Sequence, residues 1–400
     1  MNKWFLVVLA VVVAILLLAV FLNQSLTDEE KTILTRGDGV PFYEQLELLM
    51  AFYDHNMVRK SLLNKYHRTD DSEYKRSYLD SGYTVNAFFN LSTKRKLTST
   101  EFKILTVTLK ANNAYYSHQT SPEGDGVIGT FSSQTPYPTT NTFVNSKFKS
   151  KLPFVYYQGQ GWQFYPVTAT FWASEYFKQG DYPTGMELLD ELSPYMSFEN
   201  YNGTDYGVFK VYFQYTTSDI PWASSYSQGL ATGLYAQAYN HTKNRKYLDQ
   251  SNLLFNSFKV PQSDGGFITS TRFGPWFLEY NFKPQHLILN GHLITMQGIY
   301  SYYQVTKNPE ALTLFNQGAA SVKNILPQMD SGSWSYYALT GDYARPAWNA
   351  NKYYMSLHVE LLNWLYSATA DPTFQIYAQR WDGYLKSNTG NVSTKIITMP

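Results

Sequence analysis

Residues 284–326 read PQHLILNGHLITMQGIYSYYQVTKNPEALTLFNQGAASVKNIL, and this stretch decides the fold. Its apolar residues recur at helical spacing over two segments, 284–305 and 308–326, with a very short connection between them. We therefore expect two consecutive helices here that pack against each other as a hairpin. A long connection rich in aromatic residues, 327–351, follows the pair.

The same pattern recurs on both sides of this pair. It predicts further helices at 165–179, 182–194, 223–240, 244–258, 352–368 and 372–387. Helix pairs that repeat in this way predict an all-α fold, namely an α/α toroid (an incomplete α/α barrel) whose hairpins surround a central cavity. A long α-solenoid without internal repetition is the alternative. The connections 259–283 and 327–351 hold much of the aromatic content, and long loops on a rigid scaffold commonly carry function.

Three more helices are expected nearer the N-terminus, at 42–66, 82–92 and 99–117. A stretch rich in Gly, Ser, Thr and Pro, 121–150, then marks an internal boundary. The predicted organisation follows from these segments. It consists of a stalk at 23–40, a helical N-terminal part of the toroid with a long loop at 41–150, the main α/α domain at 151–388 and a tail at 389–400.

The N-terminus carries the segment WFLVVLAVVVAILLLAVFL, residues 4–22, which has no charged or polar side chain. Its length suits a bilayer core of about 30 Å, whereas the apolar region of a cleaved signal peptide usually has only ~7–15 residues. We therefore predict a transmembrane signal anchor over residues 1–22, with a cleaved signal peptide as the alternative. Lys3 precedes the segment and Asp28 follows it, so the positive-inside rule predicts a single-pass membrane protein with a cytosolic N-terminus and an extracytoplasmic domain.

Composition excludes several classes of function. A net charge of +1 without a basic stripe predicts no nucleic-acid partner. The absence of cysteine excludes disulfides, thiol catalysis and cysteine metal sites. The seven histidines are scattered and form no ligand motif, so we expect no metal and no cofactor. In contrast, 35 Tyr and 9 Trp offer many aromatic faces that can stack on sugar rings.

Candidate site residues fall into four clusters in the second half of the chain. The first, YYQGQGWQFYP at 156–166, and the second, PWASSYSQG at 221–229, each lead into a predicted helix. The third is WFLEYN at 276–281, which leads to Leu-Asn-Gly at 289–291. The fourth runs from Leu-Pro at 326–327 through Asp-Ser-Gly-Ser to Tyr336 and Tyr337, and continues with YYMSLH at 353–358.

In order and spacing, these clusters resemble motifs of the C-terminal helical domain of the glucuronyl C5-epimerases that act on heparan-type precursors. The resemblance covers roughly residues 150–385 and implies an isomerase that inverts C5 of uronic acid residues in an acidic polysaccharide. Because the animal enzymes are dimeric, it also implies that a homodimer is one state to consider. The large β-sheet regions of those enzymes have no counterpart here, and Tyr212–Tyr215 replaces a basic stretch, which speaks against a sulfated substrate.

The resemblance also assigns roles to residues. It implies Glu279 as one acid/base group, Tyr354 as the group on the opposite face of the sugar, and Tyr280 and Tyr337 as aids to proton transfer. The residues that it places around the sugar are Gln160, Tyr165, Trp222, Gln228, Asn290 and His358. Arg272 is chosen only by residue type, because an arginine can bind a substrate carboxylate through two hydrogen bonds.

The chemistry can be argued without the resemblance. Inversion at C5 removes a proton beside a carboxylate and returns one on the other face, so it needs two acid/base groups and stabilisation of an enediolate. A polysaccharide lyase uses the same proton abstraction, and a catalytic His358 would favour it. A glycoside hydrolase would need a second carboxylate, such as Asp330 or Asp342. A non-catalytic glycan-binding protein is a further alternative.

Structural roles compete with each of these assignments. Glu279 could cap the following helix, Tyr337 could merely line a cavity, and Tyr354 could be an apolar contact at a helix start. His358 could be a hydrogen-bonded residue of the core, and Asn290 with Gly291 could serve close packing.

Overall fold

The computed structural model describes residues 24–143, 148–340 and 345–387. The helices in this part of the chain are α1 (Asp28–Thr35), α2 (Phe42–Thr69), α3 (Ser72–Lys94), α4 (Ser99–Tyr116), α5 (Pro166–Lys178), α6 (Tyr182–Leu192), α7 (Ser225–Thr242), α8 (Arg245–Asn256), α9 (Leu289–Thr306), α10 (Pro309–Met329), α11 (Lys352–Thr369) and α12 (Pro372–Ser387). Each helix expected from residue 165 onward is present. Short 3-10 turns follow α6 and α8.

Helical hairpins build the C-terminal half. Helices α5, α7, α9 and α11 form a series in which each helix contacts the next. Each of them also packs against the helix that follows it in the chain, so that α6, α8, α10 and α12 form a second layer. The first series is consequently the more deeply buried of the two.

The closest helix contact joins α7 to α9. Both helices present small residues at the crossing, and a β-carbon built on Gly298 would lie 1.7 Å from the carbonyl oxygen of Gly229. A β-carbon on Gly233 would come within 2.8 Å of the Cα of Gly298. Any larger side chain would therefore force the two helices apart, and the register between them is fixed.

The N-terminal helices begin with defined caps. At the start of α4, the backbone amide of Glu101 donates to the Thr98 hydroxyl (3.3 Å), and the Thr98 amide donates to the Glu101 carboxylate (2.9 Å). This is a capping box, which satisfies two amides at a helix start. Helix α1 begins in the same way, with Thr27 and Glu30, and packs on α3. It lies within 23–40, the segment for which we expected a stalk.

Four small sheets lie between the helices of the described residues. Their strands are β1 (Val127–Thr130), β2 (Asn141–Thr142), β3 (Pro153–Tyr157), β4 (Gly161–Phe164), β5 (Met196–Tyr201), β6 (Thr204–Val211), β7 (Trp222–Ala223), β8 (Ile268–Thr271), β9 (Gly274–Phe277), β10 (His286–Ile288), β11 (Tyr336–Thr340) and β12 (Arg345–Asn349). The strand orders are β2-β1-β3-β4, β5-β6-β7, β8-β9 and β10-β11-β12. All pairs are antiparallel except β1 with β2.

The prediction of an all-α toroid behind a transmembrane helix is therefore wrong, in the first place because of these strands. They are short, and several, such as β3 and β4, are buried along their whole length. A buried strand of this length shows no alternation of apolar and polar residues, so it resembles an aromatic connection in the sequence. The connections 259–283 and 327–351 fold largely as β-hairpins.

The membrane prediction is corrected as well. No helix in residues 24–143, 148–340 and 345–387 is long and apolar enough to cross a membrane, because the apolar residues of these helices alternate with polar ones and pack into the protein core. The anchor predicted at residues 1–22 lies outside the described residues. The single-pass topology and the extracytoplasmic location are accordingly not retained.

Candidate active site

A cavity of about 530 Å³ opens where the β-rich connections meet. Its lining comes from Asp125 and Gly126 before β1, the β3–β4 turn, the segment after β6, the connection after β9, the β10-β11-β12 sheet and the first turn of α11. The helices hold these connections in place, and the connections supply nearly all of the side chains that face the cavity. Functional side chains commonly lie on loops that a rigid scaffold positions.

The β3–β4 turn is anchored from below by Asp80 of α3. One carboxylate oxygen of Asp80 accepts hydrogen bonds from the Tyr156 hydroxyl (2.7 Å) and the Ser121 hydroxyl (2.6 Å), and the other accepts from the Gly159 amide (2.9 Å). Gly159 and Gly161 both have positive φ, and a β-carbon on Gly161 would lie 2.7 Å from the Asn112 amide oxygen. The turn is thereby held tightly, with Gln160 at its end facing the cavity.

Tyrosines form the deeper wall of the cavity. Tyr280 stacks on Tyr215 with ring centroids 5.1 Å apart. Tyr337 stacks on Trp348 (5.6 Å) and lies 4.6 Å from Tyr354, again between centroids. All five residues line the cavity, although Tyr280, Tyr337 and Tyr354 are almost fully buried. The aromatic faces and phenol hydroxyls there suit the apolar C–H patches and hydroxyls of a sugar.

Glu279 lies next to this wall and is only 6% exposed. Burial raises its pKa to about 7, and the hydroxyl of Tyr280 opposes that rise. Its Oε2 atom has no hydrogen-bond partner among the described residues. The backbone just before it is fixed, since the Leu278 amide donates to the Phe267 carbonyl (2.8 Å) and the Leu278 carbonyl accepts from the Ser225 amide (3.0 Å). The carboxyl group therefore occupies a fixed position and can change its charge near neutral pH.

Gly291 provides the room for this carboxyl group. A β-carbon at Gly291 would lie 2.3 Å from Oε2 of Glu279 and 2.8 Å from its Cβ. The Asn-Gly pair at the start of α9 thus serves close packing against Glu279. Asn290 beside it is buried as well, and its amide oxygen has no partner within the described part of the chain.

The tyrosines around Glu279 remain protonated. Burial raises the pKa of Tyr280, Tyr337 and Tyr354 well above the usual value, and the charge of Glu279 raises each of them further. Glu279 can therefore act as a base at neutral pH, and the neutral phenols around it can donate protons.

Of the residues predicted for the site, Gln160, Tyr280, Tyr337 and Tyr354 line the cavity, with Glu279 buried beside them. Two others, Tyr165 and Trp222, support the wall from behind. The Trp222 indole donates to the carbonyl of Phe213 (2.8 Å), and its ring lies 5.8 Å from that of Tyr280. Tyr165 packs edge-on against Trp222 at 6.1 Å.

Three other predicted residues lie away from the cavity. Gln228 is fully buried and bonds the backbone of Gly207 (2.7 Å), Phe209 (3.3 Å) and Leu254 (3.3 Å), which joins β6 to α7 and α8. His358 is also fully buried, with its Nδ1 atom 3.0 Å from the Ser335 hydroxyl, and burial lowers its pKa to about 3. Arg272 is exposed in the β8–β9 turn, where its guanidinium lies 4.7 Å from the Phe273 ring.

The structure also reveals residues that the sequence did not point to. Lys283 lines the cavity, with Nζ 5.9 Å from the ring centre of Tyr280 and 6.0 Å from that of Tyr215, and burial lowers its pKa. No carboxylate of residues 24–143, 148–340 or 345–387 lies within 4.0 Å of this ammonium group. No local pattern marked it, because Glu279 and Lys283 lie in a non-helical connection, where a spacing of four does not place two side chains on one face. Tyr215, His286 and Trp348 complete this wall.

The described residues contain no group of three or more His, Cys, Asp or Glu side chains that could hold a metal ion.

Comparison with known proteins finds similarity in the C-terminal half. Residues 202–383 match the family model described as D-glucuronyl C5-epimerase C-terminus. The D-glucuronyl C5-epimerase of Caenorhabditis elegans is 32% identical over 177 residues, which are 41% of this chain and 29% of that protein. This confirms the resemblance predicted from the motifs over residues 202–383.

A second relative is the uncharacterized protein MJ1128 of Methanocaldococcus jannaschii, which is 35% identical over 148 residues, 36% of this chain and 46% of that protein. The chain thus spans less than half the length of both curated relatives. Among solved structures, an inactive variant of the alpha-1,6-mannanase GH76A of Salegentibacter aligns with a TM-score of 0.40 at 13% identity, over 59% of this chain and 65% of that one. A D-mannose isomerase aligns with a TM-score of 0.40 at 11% identity, over 57% and 62%.

Proposed function

We propose that this protein is a uronate C5-epimerase that acts on uronic acid residues within an acidic polysaccharide. One observation carries the proposal: a buried carboxyl group that ionises near neutral pH lies beside a cavity walled by neutral tyrosines. The match of residues 202–383 to the D-glucuronyl C5-epimerase C-terminus model supports the same reaction.

In this proposal, Glu279 accepts the proton from C5 of the sugar. The electrons of the C5–H bond move into the adjacent carboxylate, which becomes an enediolate. Tyr354 then gives its hydroxyl proton to the opposite face of C5, and Tyr337, 4.6 Å away between ring centroids, assists in restoring that proton from solvent. One proton leaves and one returns, so the product differs from the substrate only in configuration. Glu279 does not itself line the cavity, so it takes the proton through Tyr280: the Tyr280 hydroxyl oxygen receives the C5 proton as the hydroxyl gives its own proton to Glu279.

Lys283 takes the role that we first gave to Arg272. Charge develops on the substrate carboxylate when the C5 proton leaves, and a cation held at that point stabilises it. Lys283 faces the cavity beside Tyr280, whereas Arg272 lies in an exposed turn elsewhere.

The described residues give less support to the two alternative enzymes. The lyase hypothesis depended on His358, which is buried against Ser335 and is not among the residues that line the cavity. Asp330, one candidate for the second carboxylate of a hydrolase, pairs with Arg380 (3.0 Å) and accepts from the Gly332 amide (2.8 Å). Asp342, the other candidate, lies outside the described residues.

Isotope exchange tests the proposal. The purified protein is incubated in deuterated water with a panel of uronans, including heparosan, hyaluronan and polymannuronate, and the products are analysed by NMR and mass spectrometry. Deuterium at C5, with both epimers present in an intact chain, is the expected result for at least one polymer. Unsaturated sugar ends would show lyase activity instead. If no polymer of the panel takes up deuterium and none changes its configuration, the proposal is contradicted.

A further inference from the structure

A second cavity, of about 240 Å³, adjoins the first, and Gln214 lines both. The backbone amide of Gln214 donates to the Tyr83 hydroxyl on α3 (2.8 Å), and its carbonyl accepts from the side chain of Gln160 (2.8 Å). The segment around Gln214 is thus tied to α3 on one side and to the β3–β4 turn on the other. It forms a shared wall between the two cavities.

Helix α3 provides the opposite side of the second cavity. Asn86, Asn90 and Lys94 line it and are exposed. They are spaced by four residues, so their side chains lie in one row along the helix. The row extends over about 12 Å, which is longer than a single sugar ring. Across from it lie Ser218 and Asp219.

The chemistry of this row suits a carbohydrate chain. An asparagine amide both donates and accepts, as a sugar hydroxyl does, and a lysine pairs with a carboxylate. Lys94 is the one cation and Asp219 the one carboxylate among the described residues that line this cavity. A densely anionic ligand would need more cations. A chain with many hydroxyls and widely spaced carboxylates fits the lining better.

Gln160, which lines the first cavity and bonds Gln214 in the shared wall, has an unused acceptor. The side-chain oxygen of Gln160 is buried and has no hydrogen-bond partner among residues 24–143, 148–340 and 345–387. Its amide nitrogen is held by Gln214, so the side chain cannot turn away without losing that bond. A hydroxyl of a sugar passing from one cavity into the other would satisfy this oxygen.

We propose that the second cavity is a binding subsite for the sugar residues that flank the reacting uronate. The proposal rests on the proposed function in that it takes the ligand to be a uronan. The new element of the proposal is that α3 makes binding depend on the length of the uronan. Helix α3 lies outside the family match at 202–383. The α3 row would then contribute to binding only when the ligand is long enough to reach it.

Binding measurements test this subsite without requiring catalysis. The disaccharide and octasaccharide of heparosan, hyaluronan and polymannuronate are titrated into the full chain and into two variants, Asn86→Ala/Asn90→Ala and Lys94→Gln. The octasaccharide of at least one uronan should bind more tightly than its disaccharide. The double variant should reduce this advantage about tenfold, because it removes several hydrogen bonds. Disaccharide affinity should stay unchanged.

Asn363→Ala and Lys60→Gln are the matched controls, since both residues are exposed on helices and neither lines the two cavities. They should leave the length advantage intact. The subsite is overturned if no octasaccharide binds better than its disaccharide, or if the α3 variants keep the wild-type advantage. Failure of the proposed function looks different: long chains would bind through α3, yet no deuterium would enter C5.

Discussion

Two buried glutamates in this chain have opposite electrostatic surroundings. Glu101, at the start of α4, is 2% exposed, and Glu279 is 6% exposed. Burial raises the pKa of Glu101. Arg95 donates to its Oε2 atom (2.8 Å) and also bonds Oε1, and the Thr98 amide donates to the same carboxylate. These hydrogen bonds outweigh burial and lower the pKa of Glu101 overall. Glu279 has no such cation, and burial dominates.

This difference distinguishes a structural carboxylate, Glu101, from Glu279, the carboxylate that we propose to be reactive. Glu101 stays ionised, caps a helix and pairs with a fixed partner, so it gains nothing from a change in protonation. The Oε2 atom of Glu279 has no hydrogen-bond partner among the described residues. Glu279 lies beside the tyrosine-walled cavity and ionises near neutral pH. Burying a carboxylate without a compensating cation or hydrogen bond costs free energy. Carboxyl groups buried in this way are common where proteins perform acid/base chemistry. The predictions below test this contrast.

The largest effect is expected from Glu279→Gln. Glutamine keeps the shape of the side chain but cannot accept the C5 proton, so deuterium incorporation should fall by on the order of 10²–10⁴-fold. Circular dichroism should show an unchanged fold. The matched variant Glu101→Gln should exchange deuterium near the wild-type rate while unfolding at lower denaturant concentration, because it weakens the pair with Arg95. If both variants lost deuterium exchange equally, Glu279 would act, like Glu101, only through the stability of the protein.

Tyr354→Phe should have the next largest effect. The substitution removes the hydroxyl that delivers a proton to the second face and keeps the ring against Tyr337, so exchange should fall by on the order of 10²-fold. Tyr353→Phe is the control, because this neighbour is about half exposed and does not line the cavity. A Tyr354→Phe protein as active as Tyr353→Phe would assign the second proton to another group.

Lys283→Gln should lower kcat/KM for exchange by about tenfold, equivalent to about 1.4 kcal/mol, through the lost attraction for the substrate carboxylate. Steady-state kinetics on the active uronan measures this directly. Arg272→Gln should leave kcat/KM close to wild type, since Arg272 lies in the exposed β8–β9 turn. The reverse pattern would return the carboxylate-binding role to Arg272.

Gly291→Ala should have the smallest effect on the rate. The added methyl group would meet Oε2 and Cβ of Glu279 at 2.3 and 2.8 Å, so the carboxyl group must move. We expect a loss of exchange of about fivefold, equivalent to about 1 kcal/mol. At Gly383 an added β-carbon meets no atom within 4 Å, so Gly383→Ala should keep full activity and stabilise α12 slightly. Full activity in Gly291→Ala would show that the position of Glu279 does not limit the rate.

The sequence predicted the helices and the central part of the site because both leave local signals. Helical periodicity marks each hairpin, and the Glu279–Tyr280 and Tyr353–Tyr354 pairs lie in short motifs that resemble one family. The strands left no such signal, since β3 and β4 are short and buried on both faces. Motif resemblance also did not separate residues at the cavity from residues that hold the scaffold, and Gln228 and His358 belong to the scaffold. Lys283 reaches the cavity only because the connection after β9 folds beside Tyr215.

The pH dependence of deuterium incorporation at C5 tests the role of Glu279 most directly. As a base, Glu279 must lose its proton first, so the rate should rise as pH increases and level off above an apparent pKa of about 7. Glu101→Gln should retain this rise, and the residual exchange of Glu279→Gln should lack it. A rate that is independent of pH between 5 and 9, or a Glu279→Gln protein that keeps the rise, would contradict the account.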